Sequence, residues 1–284
     1  MKNEIFLFDQ RFERNVYFNL ALEEAIAINL TSSSFSGGIR FWRNSNSIIL
    51  GISEKIPDTV QPERQEEFIG NLPDLISSKK PDSRKLYIAR RASGGGTVYH
   101  DTSSNLNFSF FVSLSLRKDL FPVTESYKKL LGLMVTALSF QNIAASFEGK
   151  CDLAIKENGI LKKISGNAQF RKKNFLVHHG TIILDKEILT GVRSNLKHPP
   201  VEPDYRKNRN HENFITSVGS NFSIEKFKDS LFQLFAGFMD SRKPETDREI
   251  YPKIALHDMR KILRDADRLY KQKYTDLNFI TGRQ

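Results

Sequence analysis

The chain has 284 residues, with 39% hydrophobic and 11% aromatic content, which is enough to build one sizeable core and excludes a disordered or fibrous class. A single cysteine excludes a disulfide framework and any CxxC-type metal site, and it fits a reducing compartment such as the cytoplasm. The excess of 43 Lys and Arg over 33 Asp and Glu, a net +10, admits an anionic partner (nucleic acid, membrane surface, acidic protein, phosphate-bearing ligand) but equally a solvated basic surface.

The first ten residues alternate apolar and charged side chains, unlike a secretory leader, and no run approaches the roughly 20 apolar residues of a membrane span, so a water-soluble protein with no membrane partner is expected. Residues 16–30 place apolar side chains at helical spacing, with Asn19 as a candidate cap. A hairpin follows, Ile39 to Arg43 and Ser47 to Leu50 about the turn Asn44-Ser45-Asn46. The polar stretch 57–85, with four prolines, predicts an exposed insertion that holds no chemistry. Leu86 to Arg91 and Asn105 to Ser113 alternate as strands, the latter with Leu106, Phe108 and Phe110 on one face.

Farther on, residues 122–140 predict a helix and residues 150–184 several short strands with a turn at Asn158-Gly159. A polar ordered loop is expected over 197–213. Ser223 caps a helix striped by Phe227, Leu231, Leu234, Phe235 and Phe238, and a last helix covers about 255–274. Strands in the middle and helices at both ends predict an α+β fold, one mixed β-sheet with packed helices, as a single domain over 1–284.

Three segments carry candidate chemistry. Between two strands lies Arg90-Arg91-Ala92-Ser93-Gly94-Gly95-Gly96-Thr97-Val98-Tyr99-His100-Asp101, whose glycines let backbone approach a ligand while the arginines supply charge; a flexible hairpin turn is the other reading. It is neither a P-loop nor a dinucleotide fingerprint, lacking GK[ST] and GxGxxG. The second is Lys162-Lys163-Ile164-Ser165-Gly166-Asn167-Ala168, in which a lysine beside small residues can reach a phosphate or acyl carbonyl, or be one of a surface pair. The third is His178-His179-Gly180-Thr181, where adjacent strand positions send the two histidines to opposite faces, so that at most one meets a site, and zinc lacks further ligands.

Taken in order with Asn19-Leu20-Ala21-Leu22-Glu23-Glu24, Phe41-Trp42-Arg43-Asn44, Asn105-Leu106-Asn107, Cys151-Asp152-Leu153 and Lys273-Tyr274, these segments resemble the lipoate-protein ligase A family of the biotin/lipoate ligase superfamily. The resemblance implies the fold of biotin ligases and class II tRNA synthetases. It implies ATP-dependent conversion of lipoate (or octanoate) to acyl-AMP with Mg²⁺, then transfer to a lysine of apo lipoyl domains of 2-oxoacid dehydrogenases or of glycine-cleavage H protein. Carried over by motif, Lys163 is the catalytic lysine bridging acyl carbonyl and phosphate. Arg91, Ser93, Gly94, Gly95, Gly96, Thr97, Val98, Tyr99, His100, Asn107, Ser165, Gly166 and Ala168 then form the substrate and adenylate site, with His179 and Gly180 in support. Asp152 approaches the nucleotide and the Mg²⁺.

The chain departs from that pattern at Thr102-Ser103-Ser104, where one extra residue leaves Asn105 and Asn107 competing for the adenine. Cys151 stands where the ligases carry Asn. It reads either as a small buried residue or as a thiol nucleophile, and the latter gives the alternative of an octanoyl or lipoyl transferase acting through a thioester without ATP. Larger members continue past the counterpart of Gly282 into an accessory domain, so a separate accessory subunit is an open expectation. A nucleic-acid-binding protein is the alternative from another class; no helix-turn-helix or aromatic-basic RNA motif supports it.

Overall fold

The computed structural model describes residues 4–12, 14–30, 33, 35–239 and 256–282. In chain order its elements are β1 (Glu4–Asp9), α1 (Val16–Leu30), β2 (Phe35–Trp42), β3 (Ser47–Leu50), α2 (Ile56–Thr59), α3 (Pro62–Ser77), β4 (Tyr87–Arg90), β5 (Val98–His100) and β6 (Asn105–Ser113). After these come α4 (Val123–Ser139), β7 (Ala145–Glu148), β8 (Asp152–Glu157), β9 (Ile160–Lys172) and β10 (Phe175–Ile183). The chain then forms α5 (Ile188–Asn195), α6 (His211–Phe214), α7 (Ile224–Phe238), α8 (Leu256–Leu269), a π turn over Tyr270–Tyr274, and α9 (Leu277–Thr281).

Seven strands form one mixed sheet in the order β1-β2-β6-β10-β9-β8-β7, with β1 and β2 parallel and the other pairs antiparallel. The expected α+β architecture is the observed one. Alternation along β6 divides the core. Leu106, Phe108, Phe110 and Val112 pack against α4 and α7, whereas Phe111 turns to the face covered by α1. The α1 helix starts where the Asn15 side chain accepts from the Phe18 N–H at 2.9 Å, so Asn15 is the cap and Asn19 is not. Asn19 lies inside the helix and holds Arg40, Gln10 and Asn44. Every residue of α1 except Glu24 and Ile28 is buried, because α8 covers the side that the sheet does not.

Two further expectations change. β2 and β3 make no hairpin: β2 joins the large sheet, and β3 is the centre of a second sheet, β4-β3-β5, in which β4 runs parallel and β5 antiparallel to it. The 57–85 stretch is no irregular excursion, for it holds most of α2 and the whole of α3; Val60, just after α2, and Phe68 and Leu75 of α3 enter the core. Of its four prolines, Pro57 and Pro62 sit at helix starts, Pro73 lies inside α3 and Pro81 follows that helix. The strands expected within 150–184 are present, and the turn uses Asn158 and Gly159 at φ 52° and 79°. The helix expected from 255 is seen from Leu256, and Ala255 lies outside the described residues. Ser223 caps α7 as read, its Oγ accepting from Lys226 N at 3.3 Å.

Candidate active site

A cavity of about 790 Å³ opens between the small sheet and the β6-β10-β9-β8 part of the large one, a volume in the range of small-molecule sites. Leu20, Trp42, Ile49, Ile183, Val192 and Leu196 give it an apolar wall. The glycine loop, the beginning of β8 and the Lys163 to Ala168 part of β9 give it a polar one.

The loop between β4 and β5 is built around the buried Arg91. Its Nε donates to Ser93 Oγ at 2.9 Å, its Nη1 to Ile49 O at 3.1 Å, and its Nη2 to Gly94 O at 2.7 Å and Gly96 O at 2.9 Å. Burial pushes the guanidinium down to about 10, well above neutrality, so the charge remains. Arg90 does the same for the backbone behind the loop, donating to the carbonyls of Gly51, Ile52 and Glu54 and to those of Phe279 and Ile280 in α9. The two arginines, read from sequence as charge offered to a ligand, are chiefly engaged with carbonyls, and of the two only Arg91 lines the cavity. Gly95 takes φ +82°, and a Cβ on Gly51 would stand 2.0 Å from the Gly95 carbonyl oxygen. Close backbone approach therefore demands glycine at 51, and the left-handed backbone favours it at 95.

Opposite the loop, Lys163 Nζ pairs with Asp152 Oδ1 at 2.8 Å, and the Tyr205 hydroxyl donates to Asp152 Oδ2 at 2.9 Å. A β-bulge at Leu153/Ala154 shifts the β8–β9 register just there, the device by which a strand re-aims a side chain. Gly166 makes the room: a Cβ on it would lie 2.9 Å from both Cε and Nζ of Lys163. Among the described residues no three His, Cys, Asp or Glu side chains are grouped as a metal site. Asp152 would meet a metal only alongside other oxygen donors.

A directed chain of hydrogen bonds prepares one amide. Asn44 Nδ2 donates to His100 Nδ1 at 3.2 Å, which leaves Nε2 to donate to Thr181 Oγ1 at 2.9 Å, and that hydroxyl donates to Asn107 Oδ1 at 2.8 Å. Burial, with Arg91 nearby, pushes His100 down to about 3, so the ring is neutral. Asn107 Nδ2 is consequently without a partner on the cavity wall. Asn105, its rival in sequence, spends its side-chain oxygen on Asp101 N at 2.9 Å.

Cys151 also lines the cavity, but its sulfur meets Asp152 Oδ1 only at 3.9 Å, and burial and that carboxylate push the thiol up. A nucleophilic thiolate needs the opposite environment.

Of the residues expected from sequence, Arg91, Gly95 to His100, Asn107, Cys151, Asp152, Lys163, Gly166, Ala168, His179 and Gly180 come together on this cavity. Ser93, Gly94 and Ser165 stand outside its lining. The adjacent histidines do face opposite ways: His179 reaches Glu23 and Ser93, while His178 sits among Phe108, Phe110 and Tyr127. The sequence reading missed Glu54, whose carboxylate accepts from Thr97 N at 3.2 Å, and Thr59 in the supposed insertion. It also missed the strap over 197–214, whose Tyr205 and Arg206 line the cavity. No periodicity or motif marks these residues.

Residues 15–236 match the model of the lipoyl protein ligase A/B catalytic domain. The chain is 29% identical over 269 residues to lipoate–protein ligase 1 of Staphylococcus aureus, covering 93% of this chain and 70% of that one. It is 30% identical over 173 residues to a probable lipoate-protein ligase A of Mycoplasma genitalium, covering 61% and 44%. The chain spans about half the length of several curated relatives that it matches, 44% and 51% for two of them. In structure it resembles a bipartite lipoate protein ligase of Thermoplasma acidophilum, with a TM-score of 0.72 at 22% identity, over 100% of this chain and 98% of that one. A lipoate-protein ligase A solved with ATP gives a TM-score of 0.70 at 21% identity, over the full length of both chains. The biotin/lipoate ligase fold is thus established by structure and the family by sequence: the chain belongs to the lipoyl protein ligase A/B catalytic domain family.

Proposed function

We propose that this protein activates lipoate, or the eight-carbon octanoate, with ATP to give the acyl-adenylate and pyrophosphate, then passes the acyl group to a lysine of an apo lipoyl domain or of glycine-cleavage H protein. The observation that carries this reading is the Lys163–Asp152 pair on the polar wall of a cavity whose other wall is apolar. An acyl tail fits the apolar wall. A fixed ammonium opposite the glycine loop is placed to stabilise charge on the acyl carbonyl and phosphate oxygens as the anhydride forms and breaks. Asn107 Nδ2 offers a donor to the adenine, and Arg206 Nη2, buried without a partner on the strap, offers one to phosphate. Mg²⁺ is held as a rule by one or two carboxylates together with phosphates, so it would arrive with the nucleotide, and Asp152 is the carboxylate assigned to meet it.

The relatives support the substrates: a Thermoplasma ligase structure contains lipoic acid, a lipoate-protein ligase A structure contains ATP, and the bipartite ligase is described with its E2 lipoyl domain. Action in the cytoplasm belongs to the same proposal. No described helix is long and apolar enough to cross a membrane. The test is incubation of the pure protein with an apo lipoyl domain, lipoate and MgATP. A mass gain of one lipoyl group that vanishes without ATP is expected; an ATP-independent gain from an octanoyl carrier, lost in Cys151→Ser, would overturn it.

A further inference from the structure

Glu23 is a carboxylate 2% exposed in the middle of α1, where an apolar side chain would serve packing better. Its Oε1 accepts from Ser109 Oγ at 2.5 Å and its Oε2 meets His179 Nδ1 at 2.8 Å. On the other side of the ring, His179 Nε2 lies 2.7 Å from Ser93 Oγ, and Ser93 Oγ accepts from Arg91 Nε at 2.9 Å. A buried charge is thereby linked in three hydrogen bonds to the arginine at the centre of the glycine loop.

The proton positions in this chain follow from what each group can do. An arginine and an indole N–H only donate. Arg91 therefore donates to Ser93, and Trp42 Nε1, 2.9 Å from Ser109 Oγ, donates to Ser109. Each hydroxyl then passes its own proton onward, Ser109 to Glu23 and Ser93 to His179 Nε2. An Nε2 that accepts leaves the ring proton on Nδ1, which donates to Glu23. Both branches end on one ionised carboxylate. Burial pushes that carboxyl up, but His179, Ser109 and Arg40 together pull it below its ordinary range.

We propose that Glu23 is a positioning residue: by fixing the Nδ1–H tautomer of His179 it directs the Ser93 hydroxyl away from the glycine loop and so holds the loop in its ligand-accepting shape. The reason lies in the alternative open to Ser93. Its oxygen is also 3.3 Å from Gly94 O, a carbonyl already held by Arg91 Nη2 at 2.7 Å. With Nε2 unprotonated, the nearer imidazole takes the proton and Gly94 O is left to Arg91. With Nε2 protonated, Ser93 must accept from the ring, and its own proton turns to Gly94 O, competing with Arg91 for the carbonyl that shapes the loop. For a ring that carries one proton, a carboxylate at position 23 excludes the second arrangement, because it cannot donate to Nδ1. Glutamine at 23 admits it.

The inference rests on the proposed function for its kinetic part only, and the test separates the two. Ring ¹⁵N shifts of His179 in the ligand-free wild type are expected to show protonated Nδ1 and bare Nε2, and Glu23→Gln is expected to populate the opposite tautomer. In the same variant, amide exchange of Ser93 to Thr97 is expected to accelerate tenfold or more, and KM for lipoate to rise about tenfold with kcat within threefold of wild type. Ser109→Ala removes only the branch that does not lead to the loop, so it keeps the His179 tautomer and the loop exchange rates. A protonated Nε2 in the wild type overturns the proposal, as does a switched tautomer in Glu23→Gln with unchanged loop exchange. Should the wild type activate no lipoate, the functional reading falls, while ring shifts and loop exchange still decide the role of Glu23.

Discussion

The glycine loop and the strap over 197–214 form two walls of the same cavity, and both are shaped by arginines that hold backbone carbonyls. Arg91 binds three carbonyls and one hydroxyl within or beside its own loop. In the strap, Arg209 holds Leu161 O at 2.8 Å and Tyr205 O at 2.7 Å, and Arg206 holds Arg209 O at 2.9 Å while stacking on Phe214. Only the first wall is legible in the sequence, because three glycines bring the backbone into range of a nearby arginine and are themselves a conspicuous pattern. The strap reaches its anchors across the fold, at Leu161 and Asp152, and such pairings leave no local periodicity. A polar loop can therefore carry as much of a site as a motif does.

Breaking the polar wall at its centre gives the largest expected effect. Lys163→Ala should lower lipoyl-domain acylation by about a thousandfold, the upper range for loss of one charge-stabilising group, with the melting temperature little changed because the side chain is a quarter exposed. Single-turnover formation of acyl-AMP checks this, and near-normal rates would remove Lys163 from the site. Gly95→Val comes next. A β-branched residue at φ +82° should cost about 1–2 kcal/mol and its side chain should crowd Arg91 and Ala168, abolishing adenylate binding by calorimetry.

The strap should answer more mildly. Tyr205→Phe deletes one hydrogen bond to Asp152, worth about 1 kcal/mol, so roughly a fivefold loss in kcat/KM is expected with the loop side intact. An equal loss from Tyr205→Phe and Gly95→Val would erase the distinction between the two walls. Cys151→Ser should be smallest, retaining most ATP-dependent activity, since the thiol is held protonated.

A further difference concerns acid. Burial pushes His100 and His178 down to about 3, so below pH 6.5 the unfolded chain takes up protons that the folded one refuses. Stability from these rings is complete above pH 6.5 and is lost as the pH falls from there toward 3. His178→Asn should shallow that decline in a series of melting curves, and an unaltered slope would mean that its ring is protonated in the fold.

Architecture was more readable than the site's surroundings. Alternation along β6, the Asn158-Gly159 turn and the Ser223 cap are local signals and were realised. The β2–β3 hairpin was not, since sheet membership depends on which distant strand competes for an edge, and Asn44 leaves that turn to bond Asn19 and His100 instead. In the 57–85 stretch the abundance of polar residues and proline concealed the buried Val60, Phe68 and Leu75. Neither Glu54 nor Tyr205 belongs to a run that distinguishes a cavity-facing side chain from a solvated one.

Arg90 gives the molecule a mechanical property. Its guanidinium ties α9 to the turn carrying Gly51 and Glu54, and Glu54 in turn holds Thr97 of the glycine loop. Undocking of α9 would strip that guanidinium of two acceptors and loosen the turn, so the last helix and the ligand loop form one cooperative unit under local unfolding. A fluorophore on α9 would then report the opening and closing of a site that it never touches.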